Sequence, residues 1–109
     1  MSTTTERIRA LNDRLRTIGQ GGEIVVTRGV AALGPDTVAQ VFAAVQVFTA
    51  FTPDNDPYGE HDFGALEVAG QSVMFKIDYY NRAMAGHSPD AADPNVTTRV
   101  LTIMLADEY

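Results

Sequence analysis

The sequence contains no cysteine, which excludes disulfides, thiolate metal centres and cysteine nucleophiles. It holds a single lysine, Lys76, and its eight basic residues stand against fourteen acids, for a net charge of -6. That balance disfavours direct binding to nucleic-acid phosphates, which needs a basic surface. No apolar run approaches the ~18 residues of a membrane span, and MSTTTERIRALND has no apolar core of a signal peptide. A cytoplasmic protein is the expectation. With 109 residues, 45% of them hydrophobic, the chain suits one domain over 1–109, with residues 1–5 expected to be disordered.

The charge is uneven. Residues 1–28 carry five arginines against three acids, net +2, whereas residues 29–109 carry three basic residues against eleven acids, net -8. Thr3 and Glu6 have the spacing of a capping box. Ile8, Leu11, Leu15 and Ile18 then form one helical stripe, with the arginines expected on its wet side. Gly19, Gly21 and Gly22 end that helix. EIVVT (23–27) reads as a strand, and Gly34-Pro35-Asp36 opens a second helix whose apolar face is Val38, Val41, Phe42, Val45 and Phe48.

ALEVA (65–69), Gly70-Gln71 and SVMFKIDYY (72–80) have the form of a hairpin with glycine leading a two-residue turn. That turn pairs Val68 with Val73 and Glu67 with Met74. It places Leu66, Val68, Val73, Phe75, Ile77 and Tyr79 on one face, and Glu67, Met74, Lys76, Asp78 and Tyr80 on the other. The segment RVLTIMLADEY fits either period, and its Val/Thr/Ile content favours a strand. The order α-β-α-β-β-β predicts an α+β domain with helices on one face of a mainly antiparallel sheet.

Two long polar loops, 49–64 and 81–98, flank the hairpin, and loops of this length tend to carry function. Antiparallel pairing puts the end of the first and the start of the second at the same end of the sheet. Asp54, Asp56, Glu60, His61, Asp62, Asp78, Tyr80, His87 and Arg99 are therefore the candidate binding surface, with Asp90 and Asp93 close by, and both histidines of the chain are among them. The loop DNDPYGEHDFG (54–64) matches an EF-hand at Asp54, Asp56 and Gly59 only. Tyr58 stands where an oxygen ligand is needed and Ala65 where the closing glutamate belongs. Irregular binding of a divalent metal by Asp54, Asp56, Glu60 or Asp62 stays open, as does a transition-metal set of His61, Asp62 and His87; no cofactor is predicted. A histidine paired with Asp62 or Asp78 could serve acid–base chemistry, but no nucleophile elbow is present.

GGEIVVTRGVAAL, FTPDNDPYGEHDFG, FKIDYY and DPNVTTRVLTIMLADEY together resemble a family of small bacterial proteins described as a domain of unknown function, over nearly the whole chain from Asn12 on. The resemblance implies a bacterial cytoplasmic protein with an accessory role on plasmids and integrated mobile elements. The expected function is non-enzymatic: binding of a protein partner, one with a basic surface, through the acidic edge of the two loops. The alternative is a small metal-dependent or acid–base enzyme using the same His/Asp/Glu cluster. Pairing of an exposed sheet edge with a second copy is a further possibility for a small sheet.

Overall fold

The computed structural model describes residues 3–109. Along the chain run α1 (Thr4–Ile18), β1 (Glu23–Val26), α2 (Arg28–Ala31), α3 (Pro35–Gln46), β2 (Phe63–Val68), β3 (Gln71–Tyr80), β4 (Thr98–Leu105) and a closing 3-10 turn (Ala106–Glu108). The four strands form one sheet in the order β1-β4-β3-β2. β2, β3 and β4 are antiparallel neighbours, while β1 joins β4 in parallel. This is the α+β domain expected, and the segment that fitted either period is a strand. α2 is an addition: one turn capped by the Thr27 side chain, too short to leave a periodic signal.

The core lies between the helices and one sheet face. Phe75, Leu101, Ile103, Val73 and Ile77 are buried against Leu15, Val30, Val41, Val45 and Phe48. The hairpin faces are as expected, but the register is not. The turn is Ala69-Gly70, both with positive φ, so Leu66 pairs with Val73 and Glu67 with Ser72. The pairing is thus shifted by two residues from a Gly70-Gln71 turn, and a shift of two leaves every side chain on its face. Glu67 accordingly accepts a hydrogen bond from Ser72, and Lys76 lies opposite Phe63.

α1 corrects a further expectation. It begins at Thr4, with Thr3 Oγ1 accepting from the Glu6 N–H at 3.1 Å; Met1 and Ser2, part of the stretch expected to be disordered, lie outside the described residues. Its buried residues are Ile8, Asn12, Leu15 and Arg16, while Ile18 is 61% exposed. A rule that counts apolar residues tilts the stripe away from two polar side chains that the fold buries. Gly22 then passes so close to β4 that a Cβ there would collide with the Arg99 carbonyl, which seats the α1–β1 connection over Arg99.

Candidate functional site

One face of α1 holds three consecutive residues of the loop before β2. Arg9 Nε donates to the Gly59 carbonyl at 2.6 Å, Asn12 Nδ2 to the Glu60 carbonyl at 3.0 Å, and His61 Nδ1 to Asp13 Oδ1 at 2.8 Å. Positions 9, 12 and 13 share a helix face because they are three and four residues apart. His61 adopts φ +57, a left-handed conformation that costs a non-glycine residue energy. It is held there by Asp56, whose Oδ1 accepts from the His61 N–H at 3.1 Å, and by stacking on Phe51 at a centroid distance of 3.9 Å.

Beneath α1 the polar contacts continue inward. Asn12 is fully buried: Nδ2 also donates to the Tyr79 hydroxyl at 2.8 Å, and Oδ1 accepts from Arg99 Nε at 2.6 Å. Tyr79 in turn donates to Glu60 Oε1 at 2.8 Å. Arg99, 1% exposed, stacks its guanidinium over the Tyr79 ring and donates to the Ala91 carbonyl. Sheet register explains the meeting, since Tyr79 and Arg99 are paired residues of β3 and β4. Among the described residues no carboxylate lies within ion-pair distance of Arg99. Its charge is balanced through the amide of Asn12 and the phenol of Tyr79, which link it to Glu60. Burial pushes the guanidinium down from its ordinary value. Burial likewise pushes the Tyr79 phenol far up, so it serves as a donor and not as a base.

Arg16 is also buried, but its role is structural. Nη1 donates to the carbonyls of Val45, Gln46 and Phe48, closing the C-terminal end of α3, where a cation is favoured. Nη2 meets Asp13 Oδ1 at 3.1 Å. Asp13 therefore serves both Arg16 and His61.

On the other side of the β2–β3 end lies a cleft of about 340 Å³, lined by Asp62, Ile77, Asp78, Tyr79, Tyr80, Gly86 and His87. The Asp62 carbonyl accepts from the Ile77 N–H, and Tyr80 bridges to His87, so both loops reach the same end. Burial first, then the charges of Glu60, Asp56 and Asp78, push the Asp62 carboxyl above its ordinary range. Asp78 pairs with Lys76 at 2.9 Å, Glu60 is held by Tyr79, and Asp56 by His61. Among the described residues no cation pairs with Asp62.

Asp62, Asp78, Tyr80 and His87 thus line one cleft at this end of the sheet, while Glu60 and Arg99 lie on the α1 side, joined through Tyr79 and Asn12. His61 and Asp56 belong to that end but turn toward α1. Asp54 is exposed and stands apart, while Asp90 and Asp93 shape their own loop by accepting from the Ala92 and Asn95 N–H groups. Among the described residues no three His, Asp or Glu side chains are placed to hold one metal ion. Sequence reasoning missed Arg9, Asn12 and Asp13. The available signal was their i, i+3, i+4 spacing, polar residues on one helix face beside an apolar one.

The family model described as protein of unknown function DUF3768 matches residues 26–108. The chain belongs to this family. The match starts later than Asn12, where the resemblance of the motifs began; it takes in the two loops, the hairpin and β4, and begins after α1, at the last residue of β1. No curated protein and no solved structure matches the chain. Among the described residues, no helix is long and apolar enough to cross a membrane.

Proposed function

We propose that the protein works by binding, not by catalysis: its loop end takes a cationic segment of a protein partner. Asp62 carries this reading. It is a half-buried carboxylate pressed by three other acids, beside a cleft with tyrosine walls, and among the described residues no cation pairs with it. A cation supplied from outside would relieve that repulsion, and the Tyr80 ring at the cleft suits a guanidinium or ammonium group, the Tyr79 ring being taken by Arg99. The motif resemblance further supports an accessory protein of bacterial mobile elements, acting in the cytoplasm.

The test is an NMR titration of the full chain with an arginine-rich peptide at low and high salt. Amide shifts gathered at residues 60–62, 78–80 and 87, weakening as salt rises, are the expected result. Asp62→Asn should weaken binding by up to about fivefold, the range of a partly exposed ion pair. Shifts scattered over the surface, or none, would overturn the reading.

A second reading, acid–base catalysis, is favoured by the Asp13–His61 pair, in which a carboxylate orients an imidazole beside a cleft of about 450 Å³ that also holds Arg9 and Tyr58. His61 Nε2, however, lies 3.9 Å from the buried Asp56 carboxylate. The imidazole thus has acids on both sides, an arrangement that ties the loop to α1.

A further inference from the structure

A helix that only completed a core would bury an apolar stripe. α1 buries two apolar side chains, Ile8 and Leu15, and two polar ones, Asn12 and Arg16. The groove that receives it is polar in a matching way. At its floor Arg99 Nε meets the oxygen of the Asn12 amide, while the Tyr79 hydroxyl and the Glu60 carbonyl meet its nitrogen. Both ends of one carboxamide are read. A carboxylate in its place would offer no donor to Glu60, and an aliphatic group would leave the Arg99 contact unmade.

We infer that the groove beneath α1 is a binding site for a basic, amide-bearing helix, that α1 of the same chain fills it in the isolated protein, and that α1 of a second copy can take its place. Three independent features support exchange. The contacts of Arg9, Asn12 and Arg16 to loop and helix carbonyls are ones that water can replace when the helix leaves, so the apolar contacts given up are those of Leu15 and Ile8 alone among the helix's buried side chains, and a second copy's helix restores them. The connection contains Gly19 and Gly21, at φ +70 and +91, with open space around Gly21, so the helix can swing while Gly22 stays seated on β4. Charge is complementary: four arginines against two acids in α1, and a net -8 over residues 29–109.

The occupant already seen to fit the groove is α1 itself, which makes a second copy of this chain the partner the structure specifies. The exchange is a swap of the N-terminal helix between copies, a low-cost route to a dimer.

The experiment uses isotope-labelled full chain and an unlabelled synthetic peptide of residues 3–19 in large excess, since a tethered helix competes at high effective concentration. Shifts at Gly59, Glu60, His61, Tyr79 and Arg99, with release of the chain's own α1 resonances, are expected. A peptide carrying Asn12→Leu has the same charge and should bind at least about tenfold more weakly, as a hydrogen-bonded group at a buried polar site does when removed. Equal binding by the two peptides would show mere charge attraction and overturn the inference, as would no response at those five residues. Hydrogen exchange on the chain alone gives a separate check. α1 amides should exchange about tenfold or more faster than those of β3 and β4, and equal protection would show a helix that never leaves.

Discussion

Asp62 sits half-buried among Glu60, Asp56 and Asp78, and its raised pKa has a direct consequence for stability. An acid whose folded value lies above its unfolded one favours the folded state while protonated. That contribution is complete below the ordinary value of 3.8 and is lost as pH rises through the raised value. At neutral pH the ionised side chain is therefore a cost. Asp62→Asn should raise the melting temperature at pH 7, and the gain should vanish below pH 3.8, as thermal unfolding at a series of pH values would show. A variant that is more stable and yet binds the cationic peptide less well would mark Asp62 as retained for binding. The acids and histidines of this end were legible as residue types. Their division was not: Tyr79 holds Glu60 across the fold and His61 holds Asp56 through a turn of the loop, whereas only Lys76, two residues from Asp78, is a partner that strand alternation places beside it.

Among the elements, the hairpin shows what alternation can and cannot determine. Period two gave the faces of β2 and β3, because burial on one face fixes which residues point inward. Alternation is blind to a slip of two, and the choice between Gly70-Gln71 and Ala69-Gly70 belonged to the turn. Ala69 has φ +51, where a side chain is disfavoured. Asn-Gly is the pair preferred for a turn with both central residues at positive φ. Ala69→Asn should therefore stabilise the protein by up to about 1 kcal/mol, measured by urea unfolding; a loss of stability would mean that this turn is not the one formed. α1 shows a different limit. Its length and N-cap were readable, but its inward face carries Asn12 and Arg16, whose burial is satisfied by carbonyls of the loop before β2 and the end of α3, far away in sequence.

At the scale of the molecule, the sheet order β1-β4-β3-β2 places the last strand in the middle. Nothing in the sequence signals that β1 will lie parallel to a strand more than seventy residues away, because that pairing leaves no local pattern. β4 contributes Leu101 and Ile103 to the core on one face and buries Val100 and Met104 on the other. It also carries Arg99, the floor beneath α1. On a ribosome, this arrangement means that β1 emerges first and has no partner until β4 follows it out. α1 likewise waits for Arg99. The fold is completed from its C-terminal side, so nascent chains arrested before Thr98 should remain open to protease along residues 3–26, and protection should arrive together for α1, β1 and the hairpin once β4 is free. A message cut short upstream of β4 would then yield a soft, easily degraded chain whose hairpin keeps the β3 edge unpaired.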